Sequence, residues 1–161
     1  MLIREARPEE ADALAALAVR SKAHWPYPEA LIARFARSLG LTPEVIAAND
    51  VWVAEHEGAV RGFSTLLHRG PVCILDDLWV EPAAIGSGVG RALFEHAAAR
   101  AAARGAAALE WDAEPYAVGF YERVGGRQVG LVGSPLGRNL PVMRLPLEHL
   151  MPGQVGTTGA T

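Results

Sequence analysis

The spacing of apolar residues changes along the chain, and its first third favours helices. Pro8-Glu9-Glu10 begins one, because proline and acidic residues suit a first helical turn, and Leu14 and Leu17 then share a face. Residues 21–28 end this helix, since each of their prolines disfavours helical backbone in the residue before it. A short strand over residues 2–5 precedes it, and helices over residues 28–38 and 43–48 follow it.

From residue 51 the period of the pattern becomes two, which predicts strands. Residues 51–56 and 59–68 alternate around a turn at Glu57-Gly58, and residues 72–80 form a long apolar strand. The remaining elements are a helix over residues 91–104, a strand over 107–111, a helix over 116–124 and strands over 127–132 and 142–147. This order predicts an α/β (α+β) fold in which one sheet is flanked by helices.

Length and composition narrow the class of protein. The 161 residues suit a single domain, predicted over residues 1–150, and the Gly/Thr-rich residues 151–161 predict a flexible tail. No export signal and no apolar stretch of about twenty residues is visible, so we expect a cytoplasmic protein with no membrane partner. The net charge is −3 and the arginines are scattered, which argues against nucleic acid as a partner. We allow for a homodimer.

Cysteine and histidine add no chemistry of their own. Cys73, the only cysteine, lies in an apolar run and is interpreted as a buried core thiol. The five histidines lack the spacing of metal ligands, so no metal site is predicted. They are His24, His56, His68, His96 and His149.

The most informative segment is the glycine-rich turn over residues 86–90, between a strand and a helix. Glycine lets a ligand approach the main chain, and the first turn of a helix presents free N–H groups that bind an anion such as a diphosphate. Arg91 adds a charge suited to a phosphate. A tight loop without a ligand is the alternative. A dinucleotide fold needs this turn after its first strand, and a phosphate loop needs a Gly-Lys-Ser/Thr ending that is absent.

Two motifs resemble those of one family. Val80-x-Pro82 followed by Gly86-x-Gly88-Val89-Gly90-x-Ala92-Leu93 resembles the acyl-CoA signature of the GCN5-related N-acetyltransferase (GNAT) superfamily. The segment Phe120-Tyr121-Glu122-Arg123-Val124-Gly125-Gly126 resembles the second motif of this family, at the expected distance of one helix and one strand. The resemblance implies a GNAT-like mixed, mainly antiparallel sheet of about seven strands, and acetyl-CoA as the cosubstrate.

The resemblance also implies which residues bind the coenzyme. The main chain of residues 78–80 pairs with the pantetheine arm, the amides of residues 86–90 hold the diphosphate, and Phe120 and Tyr121 lie along the arm. Ile85 stands where the family usually has Arg or Gln, which predicts weaker affinity for the coenzyme. The full predicted set is Leu78, Trp79, Val80, Ile85, Gly86, Ser87, Gly88, Val89, Gly90, Arg91, Phe120 and Tyr121.

Acyl transfer to an amine needs a proton acceptor for the amine and a proton donor for the thiolate. Tyr121 is the candidate acid, with packing of its helix as the alternative role. Asp76 is the candidate base; the adjacent Asp77 is expected on the opposite face of its strand, and either carboxylate is alternatively a paired structural acid.

The resemblance also implies that the acceptor amine binds near the first two helices, and the acids that follow the strand over residues 107–111 favour a cationic amine. The aromatic cluster can hold an amine by cation–π contact or can simply anchor the helices. The candidates are His24, Trp25, Tyr27, Asp77, Asp112 and Glu114. The sequence therefore predicts an N-acetyltransferase acting on a primary amine of a small molecule, peptide or protein; the alternative is a catalytically silent acyl-CoA-binding or sensing module.

Overall fold

The computed structural model describes residues 1–148, so the tail predicted over residues 151–161 lies outside the described part of the chain. The described residues contain five α-helices, at almost the predicted positions. They are α1 (Ala11–Ala23), α2 (Glu29–Ser38), α3 (Pro43–Ala48), α4 (Val89–Ala103) and α5 (Val118–Arg123). Single 3₁₀ turns precede α1, α4 and α5.

The described residues contain seven strands that form one sheet. They are β1 (Leu2–Glu5), β2 (Asp50–His56), β3 (Ala59–Arg69), β4 (Val72–Val80), β5 (Ala108–Asp112), β6 (Arg127–Gly133) and β7 (Asn139–Pro146). Their order in the sheet is β1-β2-β3-β4-β5-β7-β6. Every neighbouring pair is antiparallel except β4 and β5, which are parallel. The predicted mixed, mainly antiparallel sheet flanked by helices is confirmed.

Helices cover both faces of the sheet, and each layer has its own apolar core. On one face α4 and α5 bury Phe94 and Tyr121 against Trp111 of β5. On the other face α1 and α2 bury Leu14 and Phe35 against β2 and β3. Alternation along the strands supplies both cores at once, because successive side chains point to opposite faces.

The parallel pair β4–β5 is short, and this shapes the middle of the sheet. Only Val72, Cys73 and Ile74 of β4 pair with β5, opposite residues 108–110. Beyond Ile74 the two strands separate, while β4 stays paired with β3 as far as Val80. The half of β4 that follows Ile74 therefore has an unpaired edge, and a cleft opens between the two strands.

A β-bulge interrupts β4 at the start of this cleft. Thr65 of β3 lies opposite Asp77 and the next residue, Leu66, lies opposite Leu75, so Asp76 is the extra residue of β4. A bulge breaks the alternation of side chains and redirects them. As a result Leu75 packs under α4 and α5, whereas Asp77 lies on the same side as Trp79, beneath α1 and α2.

Two boundaries differ from the predictions for identifiable reasons. Helix α4 begins at Val89 rather than at residue 91, because Gly88 has a φ of 94° and already closes the turn. Residues 115–117 form a 3₁₀ turn in place of the first turn of the predicted helix over 116–124. Among residues 1–148, no helix has both the length and the apolar character needed to cross a membrane.

Candidate active site

A cleft of about 570 Å³ lies between the separated ends of β4 and β5. Its two sides are built by different parts of the chain. We call the side formed by the loop before α4 the glycine-loop side; it contains Ile85, Gly86, Gly88, Gly90 and Arg91. We call the opposite side, which contains the end of α1 and the residues after β5, the α1 side; it contains Ser21, Trp25, Asp112, Glu114 and Tyr116. Between them lie residues of β4 and of α5, including Asp76, Leu78, Phe120 and Tyr121.

The glycine-loop side offers main-chain donors. Gly86 and Gly88 have φ values of 83° and 94°, a region that side chains disfavour, and a Cβ atom at either would meet nothing within 4 Å. Within residues 1–148, no backbone oxygen accepts the N–H groups of Gly86, Gly88, Val89 and Gly90. Together with the positive end of the α4 dipole, these groups suit an anion.

Ser87 differs from its neighbours in the loop. Its N–H donates to the Ala84 oxygen at 3.1 Å, and its hydroxyl donates to the same oxygen. This residue of the predicted coenzyme-binding set therefore shapes the loop instead of offering a free amide. Gly90 differs from Gly86 and Gly88 because a Cβ atom there would be in van der Waals contact, 3.4 Å from Val80 and 3.5 Å from Phe120.

Two side chains of the glycine-loop side, Arg91 and Ile85, are exposed. Arg91 is exposed and pairs with Glu95 at 2.9 Å across one helical turn, an interaction weak enough to be exchanged for a phosphate. Ile85, which lines the cleft, is 41 % exposed and can make apolar contact with a ligand there. Arg123 of α5, which the sequence reasoning did not select, is a second arginine on the cleft.

The free edge of β4 forms the floor of the cleft. Leu78 and Val80 pair with Ser64 and Gly62 of β3 on one side, and β5 has already diverged on the other. A free strand edge can bind an extended, amide-containing chain as an additional strand. The Trp79 side chain turns toward α2 and packs on Phe35 with 5.1 Å between ring centroids.

Tyr121 reaches the cleft from α5. Its ring packs against Trp111 at 5.0 Å and Phe120 at 5.1 Å, and only 7 % of the residue is exposed. Burial, and to a smaller extent the charge of Glu114, raises the pKa of its phenol well above the usual value. The phenol therefore stays protonated and is able to donate.

The two adjacent aspartates of β4 differ in their surroundings. Asp76 projects from the bulge into the cleft and is exposed, yet the surrounding protein, helped by the charge of Asp112, raises its pKa while Arg69 opposes the shift. Asp77 is not among the residues that line the cleft; it accepts the Trp79 indole N–H at 3.0 Å, and burial raises its pKa to about 6.

Glu114 is the centre of a buried network on the α1 side. Its carboxylate accepts hydrogen bonds from the ammonium of Lys22 and the phenol of Tyr27, and the Arg138 guanidinium lies 3.6 Å away. The Lys22 ammonium also lies 4.7 Å from the centre of the Tyr27 ring. Burial lowers the pKa of Lys22, an effect that Glu114 opposes. Sequence reasoning missed the roles of Lys22 and Arg138, because the partners are far apart in the chain.

Aromatic rings border the α1 side. Trp25 stacks on Tyr116, which the sequence reasoning also missed, with centroids 5.4 Å apart, and Tyr27 meets Tyr116 edge-on at 5.5 Å. His24 is exposed, meets the edge of Trp25 at 4.9 Å and does not line the cleft. The predicted acceptor residues thus divide: Trp25, Asp112 and Glu114 line the cleft, whereas His24, Tyr27 and Asp77 lie behind or beside it.

Some of the acids around the cleft are paired with a basic side chain and others are not. Glu110 pairs with Arg144 at 2.9 Å and Glu114 with Lys22, so both are neutralised. Asp76 and Asp112 have no ion-pair partner among residues 1–148. No group of three or more potential metal ligands occurs within that range either.

The comparisons with known proteins agree with this geometry. Residues 47–125 match the family described as "Acetyltransferase (GNAT) domain". This match includes both motifs up to Gly125, the cleft floor and the glycine-loop side. Both this matching domain and the similar solved structures described next are GNAT acetyltransferases, which confirms the resemblance that the two motifs predicted.

Solved structures share the whole fold. A GCN5-related N-acetyltransferase from Rhodopseudomonas palustris is 26 % identical with a TM-score of 0.76, covering 91 % of this chain and 95 % of that one. A ribosomal-protein-alanine N-acetyltransferase from Brucella melitensis is 26 % identical with a TM-score of 0.65, covering 91 % and 100 %. The PaiA N-acetyltransferase from Thermoplasma acidophilum, in complex with coenzyme A, has 19 % identity, a TM-score of 0.78 and coverage of 90 % and 98 %, and supports the fold alone. No curated protein sequence matches the chain.

Proposed function

We propose that this protein transfers the acetyl group of acetyl-CoA to the primary amine of a small molecule. One observation carries the proposal: a single cleft connects the amides of Gly86, Gly88 and Gly90, which donate to no backbone oxygen within residues 1–148, with the Tyr121 phenol and two carboxylates. The carboxylates, Asp76 and Asp112, have no ion-pair partner within the same residues. A diphosphate binder, a proton donor and proton acceptors are what acyl transfer from a nucleotide thioester to an amine requires.

The residues present suit the coenzyme. The amides of Gly86, Gly88 and Gly90 bind the diphosphate, with Arg91 exchanging Glu95 for a phosphate oxygen. The free edge of residues 78–80 pairs with the amide-containing pantetheine arm. Ile85 supplies apolar contact where an arginine or glutamine would supply side-chain N–H donors, so we expect modest affinity.

The reaction then proceeds by direct transfer. The neutral amine nitrogen bonds to the thioester carbon, and the carbon–sulfur bond breaks with its electron pair on the sulfur. The nitrogen then releases its surplus proton through water, which restores the proton that Tyr121 gives to the sulfur. A main-chain N–H of β4 beside the bulge at Asp76 polarises the carbonyl oxygen. Tyr121 donates its proton to the departing thiolate, since its phenol is protonated at neutral pH.

Asp76 is the proposed base for the acceptor. An alkylamine is mostly protonated at neutral pH, so a carboxylate must take one proton, directly or through water, before attack. Asp76 lies in the cleft with no ion-pair partner among the described residues, and its raised pKa makes it a stronger base than an ordinary aspartate. Asp77 is partnered by Trp79 and is the weaker candidate.

The α1 side favours a small cationic acceptor. Its stacked Trp25 and Tyr116 join the segment after α1 to the turn after β5, which closes the cleft there against a folded protein surface. Asp76 and Asp112 attract an ammonium group and repel a carboxylate. We therefore expect amines without a neighbouring carboxylate, with the ring of Tyr116 available for cation–π contact or stacking.

Two measurements test the proposal. Calorimetry should show one acetyl-CoA bound per chain, and a thiol-release assay should show turnover with at least one member of a panel of tyramine, phenethylamine, spermidine and kanamycin. Tyramine and tyrosine form a matched pair, and tyramine should react faster. Absence of coenzyme binding at millimolar concentration removes the proposal. Binding without thiol release would instead favour a silent acyl-CoA-sensing module.

A further inference from the structure

Ser21 is a buried polar residue on the wall of the cleft, and the predicted site did not include it. It lies near the end of α1 on the inward face that also carries Leu14, Leu17 and Ala18. Only 6 % of the residue is exposed, and it lines the cleft on the α1 side.

The Ser21 hydroxyl has no protein partner. Within residues 1–148 it takes part in no side-chain hydrogen bond, although Ser38 at the end of α2 bonds back to its own helix. A helical serine can usually bond to a carbonyl one turn earlier, and Ser21 does not. Its hydroxyl lies on the wall of the cleft and is free to accept from, or donate to, a ligand bound there.

Tyr121 presents the same feature from the other side of the sheet. Its phenol lines the cleft, is 7 % exposed as a residue and has no hydrogen-bond partner among the described residues. Ser21 comes from the helix layer of α1 and α2, and Tyr121 comes from the layer of α4 and α5. Two hydroxyls that make no hydrogen bond within residues 1–148 thus lie on one cleft and come from opposite layers, and the proposed reaction has two partners to hold.

We propose that the Ser21 hydroxyl binds the acceptor amine; this inference rests on the proposed acetyl transfer. A neutral primary amine has two N–H bonds and one lone pair. If Ser21 Oγ accepts one N–H, the lone pair is restricted to fewer directions and can be aimed at the thioester carbon. Ser21 exchanges no proton in this role: the amine proton goes to Asp76 and the thiolate proton comes from Tyr121.

The proposed role of Ser21 can be measured separately from the binding of coenzyme A. The coenzyme contacts proposed above come from the glycine loop, the edge of β4 and α5, none of which involves α1. Loss of the hydroxyl should therefore weaken binding of the acceptor amine and leave binding of coenzyme A unchanged. Alanine preserves almost the whole volume of serine, so a merely space-filling role predicts no effect.

The test compares Ser21→Ala with Ser64→Ala, using acetyl-CoA and the panel amine that the wild-type protein acetylates fastest. Ser64 is a matched control because it is also buried, at 2 % exposure, but does not line the cleft. In Ser21→Ala we expect the KM for the amine to rise about tenfold, as for one lost hydrogen bond, with the dissociation constant of coenzyme A unchanged. Ser21→Thr, which retains a hydroxyl, should recover part of the loss.

Three results would overturn the inference or its basis. An amine KM in Ser21→Ala within twofold of wild type overturns the role of Ser21 while leaving acetyl transfer intact. An equal rise in the amine KM and the coenzyme A dissociation constant shows a general change of cleft shape, and also overturns it. A wild-type protein that binds coenzyme A but releases no thiol with any amine overturns the proposed function, and the inference with it.

Discussion

The two sides of the cleft are built on different principles. The glycine-loop side comes from one short segment, in which the N–H groups of Gly86, Gly88 and Gly90 donate to no backbone oxygen of residues 1–148, and its charged residue Arg91 is exposed. The α1 side depends on side chains that are distant in sequence, above all Lys22 and Glu114, whose ion pair is almost completely buried. One side presents backbone, which every sequence has; the other presents a particular set of charges.

This difference suits the proposed division of labour. A diphosphate is the same in every reaction of the coenzyme, so donors fixed by backbone conformation are sufficient. An acceptor differs from one enzyme to another, and buried charges and hydroxyls discriminate strongly because leaving one unpaired is expensive. The variants below probe this contrast, beginning with the largest expected effect.

Breaking the buried ion pair should have the largest effect. Lys22→Met leaves the Glu114 carboxylate with Tyr27, the main-chain N–H of Tyr116 at 3.5 Å and the more distant Arg138, at 3.6 Å, as partners. We expect a loss of roughly 3 kcal/mol in the free energy of unfolding, as for other buried pairs that lose one member. Urea unfolding measures the loss, and the double variant Lys22→Met/Glu114→Gln should recover part of it.

The matched control is an ion pair that is not buried. Arg144 and Glu110 lie 2.9 Å apart with side chains 35 % and 25 % exposed, and Arg144→Met should cost only about 0.5 kcal/mol. Equal losses in Lys22→Met and Arg144→Met would contradict the view that the α1 side depends on buried charge.

The next effect concerns the chemistry between the two sides. Tyr121→Phe removes the proposed proton donor and keeps the ring that packs on Trp111. We expect kcat to fall about 100-fold while the KM for acetyl-CoA changes less than twofold. Because the pKa of Tyr121 is raised, its phenol remains protonated up to strongly alkaline pH, so the wild-type rate should show no alkaline decline caused by this group.

Tyr116→Phe provides the comparison for this variant. Tyr116 is 51 % exposed at the border of the α1 side, and its phenol is not assigned a proton-transfer role. Its variant should change kcat less than threefold, within the range of a weak surface contact. A similar fall in both variants would assign Tyr121 to packing.

The same contrast explains how far the sequence could be interpreted. The glycine-loop side could be predicted residue by residue because glycine spacing, the strand before it and the helix after it are local features. Even there, only the structure shows that the Ser87 amide is already bonded to Ala84. The strands and helices were predicted almost completely, since apolar periodicity is also local.

The α1 side could be predicted only in outline. Trp25, Asp112 and Glu114 were selected, but the Lys22–Glu114 pair joins residues 92 positions apart, and no local pattern predicts it. The bulge at Asp76 was missed as well, because alternation was assumed through the whole of β4. That bulge places Asp77 beneath α1 and α2, in contact with Trp79, and out of the cleft.

A third variant, Gly88→Ala, tests the glycine-loop side. Gly88→Ala introduces a Cβ at a φ of 94°, where side chains cost about 1–2 kcal/mol, and this Cβ projects into open space at the proposed diphosphate site. The strain is present with and without ligand and lowers stability, whereas the added methyl group crowds the bound diphosphate, so we expect coenzyme A to bind about tenfold more weakly by calorimetry. Gly70→Ala is the control, because Gly70 has a φ of 71°, equally open surroundings and a position in the β3–β4 turn. Equal coenzyme affinity in both variants would show that Gly88 matters only for the fold.

The smallest expected effect tests whether the carboxylate of Asp77, on the α1 and α2 face of the sheet, lowers the free energy of unfolding when it is ionised. Burial raises the pKa of Asp77 to about 6 in the folded protein, above the value of about 3.9 in an unfolded chain. The folded state therefore holds its proton more tightly, and stability should fall as the pH rises from about 4 to about 6, then stay lower.

Asp77→Asn removes this dependence and keeps an oxygen that can accept the Trp79 indole N–H. The variant should match wild type near pH 4 and exceed it by about 1 kcal/mol at pH 8, a figure reduced for the solvent that still reaches the group. Asp12→Asn, at an exposed position of α1, should differ from wild type by less than about 0.5 kcal/mol at both pH values. If Asp77→Asn is instead less stable than wild type at pH 8, the carboxylate is stabilised by its surroundings, and Asp77 must be reconsidered as a charged partner of the acceptor amine.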